Sequence, residues 1–152
     1  MSMDDFTLSD LLIRQFLIED YEDVIKLWEE AGLPFKPKGR DSKEKMANET
    51  ARPTAVFLVA VMNGKIIGTS FGTHDGRKGW INRVAVKKEF HKKGIARLLI
   101  NETEKQLFQK GIEIIACLIE DWNDTSMSAF KKMGYVKHED IIYFSKRKSQ
   151  DV

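Results

Sequence analysis

The residues best suited to chemistry lie between positions 84 and 97, where an apolar strand, a basic loop and the start of a helix follow one another. In order, the segment contains Val84, Ala85, Val86, a Lys-Lys-Glu-Phe loop, His91, Lys92, Lys93, Gly94, Ile95 and Ala96. The first N–H groups of a helix have no partner inside it, and the helix dipole adds partial positive charge there. Because Gly94 and Ala96 carry little side-chain bulk, a ligand can approach this main chain closely. The segment therefore predicts a cradle for pyrophosphate.

Cysteine and histidine are the other residue types that could do chemistry. Cys117 lies in the apolar run 114–119 with no obvious base nearby, which favours a packed core thiol over a nucleophile. The three histidines, His74, His91 and His138, are scattered and lack acidic or thiol companions at the spacing of metal ligands. No metal site is expected.

Length and composition restrict the class of protein. The chain has 152 residues, a length typical of one domain. With 25 Lys and Arg against 23 Asp and Glu, the net charge is only +2, which argues against nucleic acid or an anionic membrane as a partner. No apolar run approaches the ~20 residues of a membrane span, and no signal peptide is evident. Since the single cysteine cannot form an internal disulfide, a cytoplasmic location is expected.

Helix and strand patterns alternate along the chain and predict a single domain. We expect an N-terminal extension over residues 1–10, the domain over residues 11–146 and a solvated C-terminal tail over residues 147–152. The predicted strands cover residues 11–17, 56–62, 65–73, 80–86, 112–119, 135–137 and 141–145. The predicted helices cover residues 20–30, 42–49, 95–110 and 125–133.

Local signals mark several ends of these elements. Asp20 is predicted to cap the first helix, and Gly32 is predicted to end it. Ser42 precedes the second helix in the manner of a cap. The pair Asn63-Gly64 favours the left-handed dihedral angles of a two-residue hairpin turn.

With this order of elements, the chain resembles the GNAT superfamily of acetyl-CoA-dependent N-acetyltransferases. Residues 91–96 are similar to that family's Arg/Gln-x-x-Gly-x-Gly/Ala motif, with His91 in place of the usual Arg or Gln. A second motif of the family is matched, at the correct spacing, by Asn123, Ser126, Phe130, Gly134 and Tyr135. The resemblance spans nearly all of residues 11–145 and implies an α/β fold of the α+β kind. Three layers, α/β/α, would enclose a mixed, mostly antiparallel, centrally splayed sheet of about seven strands, with four helices.

The resemblance also implies how acetyl-CoA would bind. The backbones of Val84 and Val86 would pair with the pantetheine arm, whose amide would also bind Asn123. Phe130 would pack beside the cofactor's sulfur. The residues implied in cofactor binding are Val84, Ala85, Val86, His91, Lys92, Lys93, Gly94, Ile95, Ala96, Arg97, Asn123 and Phe130. Each basic member of this set also fits an ordinary solvated surface.

Acyl transfer to an amine requires a group that accepts a proton, because an amine with a pKa of ~10.4 is almost fully protonated at neutral pH. Glu120, at the exit of the fifth strand, and Asp75, beyond the third, are the preferred candidates for this base. Their neighbours Asp121 and His74 are the alternatives by position, and Glu120 is favoured over all of them. Asp75 precedes Gly76, so turn formation is its alternative role. Many family members carry a tyrosine acid where this chain has Phe130, so either Tyr143 or solvent would protonate the leaving thiolate.

The predicted function is direct transfer of the acetyl group of acetyl-CoA to a primary amine of a small molecule or peptide, in a ternary complex. The alternative is a CoA-binding regulatory module with little turnover. Phe130 leaves that alternative open, as does Asn82, an amide where some members have a carboxylate. Neither nucleic acid nor a membrane is an expected partner. The acceptor and the oligomeric state stay open, although late strands often mediate homodimers in this family.

Overall fold

Five strands and four helices alternate along residues 7–152, the part of the chain that this computed structural model describes. The strands are β1 (Leu11–Gln15), β2 (Ala55–Met62), β3 (Lys65–His74), β4 (Lys78–Val86) and β5 (Ile114–Ala116). The helices are α1 (Tyr21–Ala31), α2 (Lys43–Thr50), α3 (Ile95–Gln109) and α4 (Asp124–Lys132). The four predicted helices are thus all present.

The strands form one mixed sheet in chain order. β1 to β4 are antiparallel to their neighbours, whereas β5 is parallel to β4. A parallel neighbour requires a crossover connection, and α3 supplies it. β5 pairs with β4 through only three residues, Ile114 to Ala116, so this pairing is the shortest in the sheet.

The predicted number of about seven strands is wrong for the described chain, which has five. Residues 135–137 and 141–145 form no strand, and β5 is shorter than the predicted range 112–119. Their apolar, β-branched and aromatic residues favour a strand only where a pleated, half-buried neighbour exists. Beyond Ala116 the chain leaves β4, and residues 141–145 pair with no strand of the described sheet, although the outer edge of β5 is unpaired.

Helices cover both faces of the sheet, which gives the predicted three layers. One core lies between the sheet and α3 with α4, and includes Ile67, Leu99 and Phe130. The other lies under α1 and α2, where the Phe71 ring stacks on Phe57 at 4.1 Å and meets the edge of Trp28. None of the helices within residues 7–152 is long and apolar enough to cross a lipid bilayer.

The predicted turn and cap signals at four of these positions are confirmed. Asn63 and Gly64 have φ angles of 50° and 74°, as a two-residue hairpin turn requires. Gly32 ends α1 with a φ of 72°. The Ser42 hydroxyl accepts a hydrogen bond from the Lys45 N–H at 3.3 Å and so caps α2.

The predicted capping role of Asp20 is wrong. α1 does begin directly after Asp20, but the carboxylate makes no capping hydrogen bond to the helix. It accepts two hydrogen bonds from the Arg14 guanidinium, at 2.8 and 2.9 Å, and one from the Leu17 N–H at 2.8 Å. These partners hold the pKa of Asp20 below its usual range. The Asp20 carboxylate therefore binds the charged Arg14 side chain of β1 instead of the helix amides.

Gly72 of β3 provides a test of the packing beneath α3. A Cβ atom added there would lie 2.7 Å from Cγ2 of Thr103. Gly72→Ala should therefore lower the free energy of unfolding by about 1–3 kcal/mol, because it overpacks a buried contact. Urea unfolding would measure this loss.

Thr103→Ser supplies the matched background for that test. It removes the Cγ2 methyl but keeps the hydroxyl, which lies 2.9 Å from the Ser70 Oγ and donates to the Leu99 carbonyl. Gly72→Ala should be less destabilising in this background than in the wild type. An equal loss in both backgrounds would show that this contact is not the cause.

Candidate active site

A cavity opens where the two parallel strands separate. Their last pair is Trp80 with Ala116, and beyond it a space of about 700 Å³ lies between them. The predicted splay of the sheet is therefore confirmed. The residues that line the cavity from β4 and from the segment after β5 are Trp80, Ile81, Asn82, Arg83, Val84, Cys117, Leu118, Ile119 and Glu120.

A bulge in β4 adjoins this opening. Arg83 has a φ of 56°, and the register with β3 shifts between Thr69 and Phe71. A residue other than glycine with this angle carries a strain of order 1–3 kcal/mol, so the surroundings must hold it in place. The buried Thr69 hydroxyl donates to the Arg83 carbonyl at 2.7 Å and accepts from the Trp28 indole N–H at 3.0 Å. α1 therefore fixes the backbone of β4 at the bulge.

The Arg83 side chain binds the loop between α1 and α2. Its guanidinium donates to the Asp41 carboxylate at 2.9 Å and to the Pro34 carbonyl, and lies over the Trp28 ring. Asp41 is buried and also accepts from the Lys36 N–H at 2.7 Å. Burial lowers the pKa of Arg83, whereas the Asp41 carboxylate raises it. Sequence reasoning missed this pair, although a lone arginine within the apolar segment 80–86 was a usable signal.

A tightly bent loop leads from β4 to α3. The His91 ring lies with Nε2 2.7 Å from the Val86 carbonyl oxygen. Because a carbonyl can only accept, Nε2 carries the proton and donates. Lys92 and Gly94 have φ angles of 63° and 83°, so the chain reverses direction just before α3 begins. His91 thus closes the loop back onto the end of β4.

The start of α3 leaves main-chain donors available. Its first hydrogen bond runs from the Leu98 N–H to the Gly94 carbonyl at 3.1 Å, so the N–H groups of Ile95, Ala96 and Arg97 have no acceptor within the helix. A Cβ atom added to Gly94 would find no atom within 4 Å. The glycine therefore faces open space beside unpaired donors, which is the arrangement that a phosphate group needs.

The side chains of the predicted cofactor residues divide into two groups. Ile95 and Ala85 are buried in the cores on opposite faces of the sheet, so mainly their backbones are available to a ligand. Lys92 and Arg97 are exposed, and Lys93 is half-buried. Charge around the start of α3 therefore lies on long side chains beside an ordered main chain.

Three residues of the second predicted motif, Asn123, Ser126 and Phe130, line the cavity from α4 and its cap. Asn123 accepts a hydrogen bond from the Ser126 N–H at 3.2 Å and so caps the helix. Phe130 is buried and meets the Tyr135 ring edge-on at 4.8 Å. The Tyr135 hydroxyl donates to Glu104 at 3.0 Å, and burial together with that carboxylate raises its pKa. Tyr135 is therefore no substitute for the acid that Phe130 lacks.

Glu120 and Tyr143, two of the three predicted acid–base residues, line the cavity. Glu120 is partly exposed, and its charge is among those that raise the pKa of Arg83 against burial. Tyr143 lies in the C-terminal segment with 65% of its surface exposed. That segment continues to the α1–α2 loop, where the Lys36 ammonium donates to the Gln150 carbonyl at 3.2 Å. Asp151 also lies against Gly39 of that loop, so residues 147–152 are in contact with the domain instead of wholly solvated.

Asp75 lies outside the wall of this cavity. Its carboxylate accepts hydrogen bonds from the Arg77 and Lys78 N–H groups at 2.9 and 2.8 Å, as in an Asx turn. These two bonds lower its pKa. An exposed carboxylate of lowered pKa is a weak proton acceptor. Turn formation, the alternative role of Asp75, accounts for its geometry.

Two further residues of the cavity wall, Glu49 and Cys117, have a raised pKa. Burial raises the pKa of the half-buried Glu49 carboxyl, at the end of α2. No sequence signal identified Glu49, because the short polar helix has no pattern that indicates which acid faces a cavity. Burial also raises the pKa of Cys117 to about 11, so this thiol is protonated at neutral pH and is no nucleophile. Within residues 7–152, no three His, Cys, Asp or Glu side chains are grouped to hold a metal ion.

Comparison with known proteins agrees with this geometry. The model of the acetyltransferase (GNAT) family matches residues 17–135. The PaiA N-acetyltransferase from Thermoplasma acidophilum, solved with coenzyme A, is 28% identical with a TM-score of 0.74, over 87% of this chain and 92% of that one.

Two more distant structures share the fold. The aminoglycoside acetyltransferase meta-AAC0020 from an uncultured soil metagenomic sample, solved with trehalose, is 18% identical with a TM-score of 0.77, over 93% of this chain and 99% of that one. AAC(6')-Iy, solved with the bisubstrate analogue CoA-S-monomethyl-acetylneamine, is 20% identical with a TM-score of 0.74, over 90% and 98%. Since the family match covers most of a chain whose sheet has the predicted splay, the protein belongs to the GNAT family of acetyltransferase enzymes.

Proposed function

We propose that the protein transfers the acetyl group of acetyl-CoA directly to a primary amine of a small molecule or peptide. One observation carries this proposal: beyond Trp80, β4 lines an open cavity as far as Val84, and past the end of this strand the chain leads through the loop to Gly94 and the unpaired amides of α3. A groove of this kind suits a long ligand with phosphate at one end. The PaiA neighbour, which was solved with coenzyme A, supports the same choice of co-substrate.

The start of α3 and the cavity would hold different parts of acetyl-CoA. The N–H groups of Ile95, Ala96 and Arg97 would bind the pyrophosphate, with Lys92 and Lys93 nearby to balance its charge. The main chain of Val84 and the amide of Asn123 would bind the pantetheine arm. Acetyl-CoA supplies an acyl group activated as a thioester. The chain itself must orient that thioester, exclude water and manage protons.

The acceptor amine must lose a proton before it can attack. At pH 7, about one molecule in a thousand of an amine with a pKa of ~10.4 is neutral, which amounts to ~4 kcal/mol of barrier unless the site takes up the proton. Of the predicted bases, Glu120 lies in the cavity wall, whereas Asp75 does not. We therefore keep Glu120 and set Asp75 aside. No metal is required for this transfer.

Gly94→Glu tests the proposed cofactor site. The new side chain would put negative charge and bulk at the open face beside the α3 amides. It should weaken the binding of coenzyme A at least tenfold, or about 1.4 kcal/mol, as measured by isothermal titration calorimetry.

Gly111→Glu is the matched control. Gly111 follows the other end of α3, has a φ of 87° and likewise faces open space, so the substitution introduces the same charge and similar backbone strain. This variant should bind coenzyme A like the wild type. Equal affinities for both variants would contradict the proposed site.

Thiol release tests the transfer itself. Acetyl-CoA and a panel of primary amines should yield free CoA thiol and an acetylated product with at least one amine. The matching tertiary amine should yield neither, because it has no proton to lose when an amide forms. If the protein binds coenzyme A tightly but no amine of the panel leads to release of free thiol, the proposed function is contradicted.

We further propose that the chain forms a homodimer through residues 141–144. Ile141, Ile142, Tyr143 and Phe144 are exposed by 69%, 77%, 65% and 89%. A contiguous exposed apolar segment is typical of an interface, and the outer edge of β5 carries no strand within the described sheet. Because Tyr143 also lines the cavity, such a dimer would adjoin the site.

Light scattering would check the dimer. The wild type should have twice the mass of one chain, and Ile142→Asp should shift it toward the monomer. Phe108→Asp, at a residue of α3 that is 52% exposed, controls for the loss of apolar surface and should leave the mass unchanged. A wild type that stays monomeric at all concentrations would contradict this proposal.

A further inference from the structure

Glu49 is one of three acids in the cavity wall. It is half-buried near the end of α2, and, like Glu120, it has neither a hydrogen-bond nor an ion-pair partner for its carboxylate among residues 7–152. By contrast, Asp41 in the same wall is bound to Arg83 at 2.9 Å. Removing a carboxylate from water without a partner costs free energy. A half-buried carboxylate without such a partner is suited to bind a cationic ligand that enters the cavity.

We propose that Glu49 binds the ammonium group of the acceptor and takes up the proton that this group must lose before acetyl transfer. This inference rests on the proposed function and deepens it by assigning the amine subsite. An N–H bond of the ammonium breaks, its electron pair stays on nitrogen, and the proton passes to a Glu49 carboxylate oxygen. Nitrogen then bonds to the acetyl carbon as the carbon–sulfur bond breaks. Nitrogen then loses its second proton to solvent, and solvent protonates the CoA thiolate, so charge is conserved.

The walls around Glu49 indicate the class of acceptor. Phe57, Phe71 and Trp80 line the same cavity, and the face of Trp80 already holds the Lys78 ammonium at 4.7 Å from the ring centroid. Aromatic faces attract cations and exclude water, which strengthens a carboxylate–ammonium pair. We therefore infer a primary ammonium attached to an apolar or aromatic carbon chain.

The charges that act on Glu49 come from two neighbours. Burial is the main reason that its pKa is raised; Arg52 opposes the increase and Asp41 adds to it. The other charged side chains of the cavity wall are Lys36, Arg40, Arg83, Glu120 and Arg147. A carboxylate whose pKa is raised toward neutrality holds a transferred proton better than an ordinary surface glutamate does.

The same shift predicts how Glu49 affects stability. A carboxyl whose pKa is higher in the folded chain than in the unfolded one stabilises the fold at low pH, and that contribution disappears as the pH rises through the folded value. At neutral pH the ionised Glu49 therefore opposes folding. Glu49→Gln should have a thermal unfolding midpoint at pH 7 equal to or above that of the wild type, so a loss of activity would not reflect unfolding.

The experiment compares Glu49→Gln with Glu44→Gln, an exposed position on α2 outside the cavity wall. With an aralkylamine at pH 7, Glu49→Gln should lower kcat/KM by about 10²-fold or more, and Glu44→Gln should not change it. The affinity for coenzyme A should be the same in both. As the pH rises toward the pKa of the amine, the deficit of Glu49→Gln should shrink, because the amine is then already neutral.

A primary amine of low pKa, such as 2,2,2-trifluoroethylamine, separates proton transfer from other roles. It is neutral at pH 7, so Glu49→Gln should acetylate it nearly as well as the wild type does. A deficit that is the same for both amines and at every pH would mean a structural role and would overturn the inference. Glu49→Asp, which retains the charge but shortens its reach, should recover part of the activity.

The outcomes separate this inference from the proposed function. An active wild type with an equally active Glu49→Gln would overturn the role of Glu49 and leave acetyl transfer standing. The same follows if Glu120→Gln, instead of Glu49→Gln, shows a deficit that high pH removes. A wild type that acetylates no amine, although it binds coenzyme A, would overturn the proposed function and this inference with it.

Discussion

The site depends on the separation of two parallel strands that main-chain hydrogen bonds would otherwise join. Every N–H or C=O group left unpaired in a half-buried place costs free energy, so an open sheet needs a local structure that prevents closure. The bulge at Arg83 supplies it, because a φ of 56° breaks the regular run of β4. The hydrogen bonds from Trp28 to Thr69 and from Thr69 to the Arg83 carbonyl then hold that backbone in place.

The same arginine joins the two halves of the cavity. Its backbone lies in the strand proposed to hold the cofactor, and its guanidinium binds Asp41 of the loop that leads into α2. Because Asp41 is buried and Arg83 is partly buried, removing either partner would leave a charge that has lost part of its water, so the pair holds the loop on β4. Because α2 begins directly after this loop, the position of Glu49 is tied to the bulge that opens the sheet.

Sequence reasoning succeeded where a short segment determines its own conformation and failed where a distant partner decides. Asn63-Gly64 requires left-handed dihedrals whatever surrounds it, so its turn could be predicted. Asp20 has the form of a helix cap, but an arginine on β1 binds its carboxylate. Residues 141–145 have the composition of a strand, but they pair with no strand of the described sheet, and composition alone does not make a strand. Glu49 was missed because its environment is created by aromatic residues of β2, β3 and β4.

Comparing the two proton transfers, one to the leaving thiolate and one from the acceptor ammonium, explains why Phe130 needs no hydroxyl. A thiolate is a stable leaving group that solvent can protonate, and Tyr135, the ring in contact with Phe130, has its hydroxyl bound to Glu104. An ammonium, by contrast, cannot attack at all until a proton is removed, at ~4 kcal/mol for an ordinary amine. The chemical demand therefore falls on the amine side of the cavity, where we propose that the half-buried Glu49 carboxylate meets it.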